Sequence, residues 1–458
     1  MTAVPDWARS PGARRWAFSL AGVTAYGLAL WWGYRTFAVV TYPYLGFTYR
    51  TPDALGVLVA AVGLTGLAVL LPRLVRRPGD FMVWFFFAVV IAPAALVPSW
   101  THDLSPHEAR VFTVVALTSF ALIVVANRWF PLPSWNPPRL RSRDVVLVYA
   151  VLSLGTYGSL LTIMGSNLEV TTLTGVRELR ILYLERVSQG GPLVAYLVAV
   201  QANVANPLLL LRGLQRHSWC LVAIAVLGQV VIYSATGYRT TLLTVPAVLA
   251  IAWMARRLGG RIPGPIIPSA LGGASILGTT TALTTGWVTL GLLVTVRMLC
   301  LPAVIALAHV DTFSDSPKAR WAYSFAGPFL DYPYDEVPAL MVGNLMTGDS
   351  ANYANSGFLG DGYANLGYPG VLIEAALLAL VLAALNYASR GLSPAVVATM
   401  VLAPAMVAAN ISAFTAILSG GLAATFVAAL LMPREGWEES ERPWFPLRRR
   451  ASTSTTPA

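Results

Sequence analysis

Apolar runs of close to 20 residues recur along the chain, each ended by a short polar stretch. A helix rises about 1.5 Å per residue, so such a run crosses about 30 Å of hydrocarbon. On that measure, spans lie near 16–33, 54–72, 81–98, 111–127, 145–164, 192–211, 218–234 and 240–255. The region 266–310 is too long for one span and barely long enough for two. Threonines, glycines and Arg297 interrupt it, and the pattern predicts one span at about 267–288 followed by a shallow helix with Arg297 near its start. Residues 311–366 form the longest polar segment, and the last spans lie near 368–387, 394–413 and 416–432. The expected fold is an all-α integral membrane protein of about twelve transmembrane helices. Residues 1–432 make one polytopic domain with external loops at about 165–191 and 293–366, the larger preceding span ten. A cytoplasmic tail, 433–458, ends in a Ser/Thr run with the composition of disorder.

Composition agrees. Of 458 residues, 56% are hydrophobic and 11% charged, with mean hydropathy +0.64, where a soluble domain carries about 25% charged residues. The net charge of +10 would suggest nucleic acid on a soluble protein, but here the basic residues sit in short loops between spans. With twelve spans, RSPGARR, RLVRRPGD, RWFPLPSWNPPRLRSRD, RGLQRH, RRLGGR, ASRG and the tail all fall on the side that holds both termini. The positive-inside rule makes that side the cytoplasm. Cys220 and Cys300 stand in apolar surroundings and His102, His107, His217 and His309 lack ligand spacing, so neither a disulfide framework nor a metal site is expected. Arg9, Arg14 and Arg15 before an apolar run resemble a signal peptide, but without a small-residue cleavage site the run reads as an uncleaved first span.

The same topology places Arg177, Arg180, Arg186, Arg239 and Arg297 at the external face, against the rule. A single arginine there equally well snorkels to lipid phosphate; five beside apolar runs weigh towards binding. Guanidinium offers a rigid fork of donors that fits phosphate oxygens and stays charged. A cluster of them suits a pyrophosphate and would stabilise it as a leaving group without a metal. Residues 175–188 read as an amphipathic helix capped by Thr174, with Glu178 in its first turn and Arg177 and Arg180 on one face. The plainer alternative is an interfacial helix whose arginines pair with Glu178 or Glu185. The stretch SGFLGDGYANLGYPG reads as a glycine-rich loop just before a span; it lacks the lysine and the preceding strand of a P-loop. In it Asp361 is an acid with no evident partner, placed to pair with an external arginine or to act as a base. Asp311, Asp315, Asp331, Asp335, Glu336 and Asp349 read as solvated surface, and His102 and His107 as weaker candidates for a base. The aromatics of WAYSFAGPFLDYPY could stack on sugars or form an interfacial belt.

Three stretches together resemble a known family. TGYRTTLL at the start of a span resembles the Gly-x-Arg-x-x-Leu-Leu signature of bacterial O-antigen polymerases. GFLGDGYANLGYPGVLIEAAL resembles their later acidic-Tyr-Ala-Asn-x-Gly signature, and VTVRMLCLPAVIALAHVDTF the arginine-bearing stretch before their large external loop. The resemblance is to oligosaccharide repeat-unit (Wzy-type) polymerases. It covers roughly residues 165–390, with the first 140 residues similar in span pattern alone. It implies a metal-independent membrane glycosyltransferase of GT-C-like architecture, without a cofactor, in the bacterial cytoplasmic membrane. Such an enzyme transfers a growing glycan from undecaprenyl pyrophosphate to a lipid-linked repeat unit on the external face, beside a flippase and a chain-length regulator. Carried over, Arg239 and Arg297 match the signature arginines and, with Tyr238, fall to substrate binding. Asp361, Tyr363 and Asn365 match the later signature, and Arg177 and Arg180 match as arginines of the external segment. Asp361 is the first candidate for the base that takes the acceptor proton, and Glu178 the second. The alternatives are an O-antigen ligase-like transferase and a flippase or transporter of lipid-linked sugars. The latter would be expected to place charges in mid-span, where Glu374 is the main example.

Overall fold

The structure, a computed structural model, describes residues 11–101, 104–130, 140–165 and 176–434. Thr174, His102 and the tail beyond Arg434 lie outside the described residues. Within them the chain is helical throughout, and its lone β feature is a bridge between Leu74 and Pro263. In chain order the first helices are α1 (Pro11–Gly33, continued through a π turn to Thr41), α2 (Ala54–Leu70), α3 (Pro78–Ser99), α4 (Pro106–Trp129) and α5 (Ser142–Met164). Next come α6 (Arg177–Gly190), α7 (Leu193–Gln215), α8 (Trp219–Thr236), α9 (Arg239–Arg257), α10 (Ile266–Thr285) and α11 (Thr289–Phe313). The last are α12 (Pro338–Thr347), α13 (Phe358–Leu366), α14 (Tyr368–Ala388), α15 (Pro394–Ala408) and α16 (Ala413–Leu431).

Local chemistry sets the ends of these helices. Asp53 caps α2 by accepting from Gly56 N at 3.0 Å, and Ser105 with Glu108 forms a capping box on α4. Gly237 closes α8 at φ +65, a left-handed conformation that glycine takes without strain. Among the described residues nine helices are long and apolar enough to cross a membrane: α3, α4, α5, α7, α8, α10, α11, α14 and α16. This is a helical, multi-pass membrane protein. Of the twelve expected spans, α2 and α15 are apolar but shorter, and α1 and α9 are not among the nine. Arg239 opens α9 and Arg256 and Arg257 close it, which leaves too short an apolar stretch between. The bundle wraps α3, whose apolar window is wholly buried. Its outer surface exposes Leu147, Leu154, Leu227, Trp253, Leu283 and Leu380, an apolar coat suited to lipid.

The two ends of the bundle differ. At the lower end the basic turns are tied to one another: Arg15 donates to Leu71 O, Gly264 N to Arg73 O, and Leu140 N to Leu431 O. Asp80, 2% exposed, accepts from Arg76 N, Arg77 N and Asn127 Nδ2, and Asn386 in turn bonds Asn127 and Gly79. At the upper end Arg50 N donates to Trp100 O and Arg110 pairs with Asp53 at 3.0 Å. In the region 266–310, α10 coincides with the expected span and α11 is the helix that carries Arg297. α11 is one continuous helix of 25 residues, apolar enough to cross, and Arg297 lies a third of the way along it, in a π-helical stretch. Both of its ends nevertheless lie at the upper end. A Cβ on Gly291 would touch Phe37 near the top of α1, and Ala306 packs against Gly360 of α13.

Candidate functional site

Three arginines from three separate segments meet at the upper end. Arg239 follows the turn Gly237–Tyr238 as the first residue of α9, Arg180 comes from α6, and Arg297 from α11. Arg239 lies within electrostatic range of Arg297 and Arg180, and Arg297 within range of Arg180, Tyr42 and Tyr44. The turn is built for this approach. A Cβ on Gly237 would sit 3.0 Å from Val176 O, so only glycine lets α6 come this close. Arg180 Nη2 donates to Gly237 O at 3.3 Å, and its guanidinium lies 5.4 Å from the Tyr238 ring centroid. Tyr238 in turn packs edge-on against Tyr183. Tyr238 is therefore the platform under Arg180. Arg180 Nε is buried with no hydrogen-bond partner, and neither Arg180 nor Arg297 forms an ion pair among the described residues. Like charges brought together in a partly buried setting repel one another, and a bound anion relieves that cost.

Of the other positions expected at that face, Glu178 and Arg186 are exposed on α6, and Glu178 forms no ion pair among the described residues. Arg177 opens α6, and its side chain lies outside the described residues.

A second cluster centres on Asp361. The expected glycine-rich loop is a helix, α13, joined to α14 through a bend at Gly367 (φ +67). Its glycines serve close packing: a Cβ on Gly370 would lie 2.0 Å from Gly362 O, and one on Gly360 2.1 Å from Ser356 Oγ. Asp361 and Asn365 share one face of α13, one turn apart. Asp361 Oδ1 accepts from Tyr323 Oη at 2.9 Å and Oδ2 from Asn365 Nδ2 at 3.1 Å. Asn365 is fully buried, and its Oδ1 accepts from Trp321 N at 2.6 Å. It thereby holds Arg320 and Trp321 at φ +52 and +54, conformations that residues with a Cβ rarely adopt. Burial, and then the Asp361 charge, hold the Tyr323 hydroxyl well above its ordinary pKa, so it donates to the carboxylate. Behind Asp361 lies Glu374 of α14, wholly buried, with Oε2 accepting from Ala413 N at 2.8 Å. Glu374 neighbours Asp361 and Trp321, yet its Oε1 and Trp321 Nε1 both lack a partner in hydrogen-bond geometry. Trp321, Phe325 and Phe414 form an aromatic group on this side.

Tyr363, assigned with Asp361 and Asn365 to one signature, points elsewhere. It packs on Tyr368 at 4.9 Å and carries Lys318 Nζ 4.4 Å from its ring centroid. The aromatic loop and Glu374 are the partners that sequence spacing missed. Tyr323 is 38 residues from Asp361, and nothing in its neighbourhood distinguishes it from the other tyrosines of the loop.

The two clusters share α11, which carries Arg297 and, twelve residues on, the buried His309 facing Asp361. Twelve residues of helix separate their attachment points by about 18 Å. Asp361 therefore takes Tyr323 and Asn365 as partners, not an arginine. No family model, curated protein or solved structure matches the chain.

Proposed function

We propose that the protein is a polysaccharide polymerase that extends lipid-linked oligosaccharide on the external face of the bacterial cytoplasmic membrane, with both termini in the cytoplasm. The observation that carries this reading is the meeting of Arg180, Arg239 and Arg297 at one end of an apolar bundle, without an ion pair to Arg180 or Arg297 among the described residues. A pyrophosphate on undecaprenol suits such a site in both halves, an anion at the arginines and a hydrocarbon tail along the helices. In the reaction an acceptor hydroxyl attacks the donor's anomeric carbon, the bond to pyrophosphate breaks, and the arginines stabilise the charge that develops on the leaving oxygen.

The spacing along α11 gives the second cluster a different part of a long substrate. Asp361, presented by Tyr323 and Asn365 beside Trp321, suits sugar hydroxyls. A general base must lie within hydrogen-bond reach of the proton it removes. Asp361 fills that role where the acceptor hydroxyl meets it; holding the incoming chain needs no such reach. Asp361→Asn separates the two, since loss of a base lowers kcat, whereas loss of a sugar contact raises KM.

The test of the whole reading is turnover of a panel of pyrophosphate-linked oligosaccharides by purified protein in lipid, with products resolved by size. A ladder at repeat-unit spacing, reduced at least about 100-fold in Arg239→Lys and Arg297→Lys, is expected, because lysine keeps the charge and loses the fork. Full activity in Arg239→Ala overturns the assignment. Passage of unextended substrate across the bilayer would make the protein a transporter and the arginines a docking site.

A further inference from the structure

At the opposite, lower end, a groove of about 580 Å³ lies between α5, α7, α8 and α16. That volume is in the range of small-molecule sites, about 300–1,000 Å³. Apart from Tyr149 and two arginines its walls are aliphatic, with Val145, Leu221 and Ala424 contributed by three different helices. Along α7, however, the lining changes character. Val204, Leu208, Arg212 and Arg216 recur at every fourth position and form one stripe along the groove. Reading down the stripe, two aliphatic residues lead to two guanidinium groups at the lower end, over about 18 Å of helix. Among the described residues, none that lines the groove is acidic. At the rim Val146, Val148, Ile224 and Val427 are about half exposed on the outer surface, so the groove opens sideways towards lipid.

We propose that this groove is a binding site for an anionic phospholipid, with an acyl chain along Val204 and Leu208 and the phosphate at Arg212 and Arg216. Three observations combine. The groove presents hydrocarbon and charge in the order in which a phospholipid presents them. Its length is that of an acyl chain rather than of a headgroup. It opens beside the cluster of basic loops, the side that faces the more anionic leaflet. A zwitterionic lipid would bring its own cation against the two arginines. The site lies at the end of the bundle away from the arginine triad, and the inference is independent of the catalytic reading.

Native mass spectrometry of the full chain tests it, with phosphatidylglycerol and phosphatidylcholine of identical acyl chains offered in equal amounts. The wild-type protein is expected to retain phosphatidylglycerol about 30-fold over phosphatidylcholine, the preference given by two arginines near a headgroup. Arg216→Gln should lose about fivefold of that preference, and Ala424→Trp, which fills the groove from the opposite wall, should lose both lipids. Arg212 is buried, so the readout rests on Arg216 and Ala424, with thermal midpoint and monodispersity confirming that each variant folds. Equal retention of the two lipids by wild type overturns the proposal, as does unchanged retention in both variants. Displacement of phosphatidylglycerol by an equimolar polyprenyl phosphate also overturns it and assigns the groove to the carrier lipid.

Discussion

Replacing Asn365 with alanine tests the Asp361 cluster without any knowledge of the substrate. Asn365 Oδ1 is the acceptor for Trp321 N at 2.6 Å, at a residue 8% exposed and held at φ +54. Alanine leaves that N–H buried without a partner, which costs about 1–3 kcal/mol. It also removes the amide that bonds Asp361 Oδ2. The positive φ angles at Arg320 and Trp321 lose a restraint while keeping their intrinsic cost. A central value of about 2 kcal/mol lowers the free energy of local opening and speeds exchange of the affected amides about 30-fold. Hydrogen exchange of the protein in lipid nanodiscs, read over residues 319–323 against α3 as a static reference, measures this. Exchange within about twofold of wild type would show that Asn365 does not hold the turn, and the reasoning from burial and geometry would be refuted.

Three further outcomes follow from other parts of the molecule. Gly370→Ala drives a Cβ to 2.0 Å from Gly362 O and should destabilise the α13–α14 corner by about 1–3 kcal/mol. Gly155→Ala, with open space around its Cβ, should be neutral or stabilising by up to about 1 kcal/mol, and thermal scans compare the two. Asp80→Ala strands two backbone N–H groups and Asn127, so it should lower stability by about 3 kcal/mol and leave the substrate KM unchanged. Burial pushes the Tyr332 hydroxyl up from 10.0 to about 12. An acid raised on folding stabilises while the unfolded form is still protonated, so that contribution is present below pH 10 and is lost between about pH 10 and 12. Exchange protection in residues 323–336 should fall across that window and recover on return to neutral pH; protection that stays level to pH 12 would contradict the assignment.

The arginine end was legible because topology supplied a contrast. Arg239 and Arg297 stood out by violating the positive-inside trend, and the structure brings both together with Arg180. Asp361 was legible as a lone acid in a glycine-rich stretch before a span, but its partners were not. Tyr323 and Trp321 belong to a loop whose aromatics all look alike in sequence, and Glu374 read as a stray mid-span charge until the fold set it behind Asp361. Five glycines in SGFLGDGYANLGYPG lowered helix propensity enough to read as a loop. The structure makes that stretch a helix because tight packing at Gly360, Gly362 and Gly370 outweighs propensity. The helix at Arg297 runs unbroken because Arg297 is taken up in a π-helical stretch, Leu292–Cys300, and Pro302 falls in the first turn of the α-helix that follows, where a proline costs no hydrogen bond.

The ties at the lower end have a mechanical consequence. Asp80, Asn127 and Asn386 bind α3, α4 and α14 together, and Arg434 fastens the end of α16 to Ala388 O. Helices fastened at one tip move relative to one another by pivoting about it, and displacement grows with distance from the pivot. Over about 35 Å of helix, a tilt of about 5° shifts the far tip by about 3 Å. The arginines sit at that far end on α6, α9 and α11, which these ties do not hold, so a tilt of those helices against the fastened core changes the gap between the three guanidinium groups.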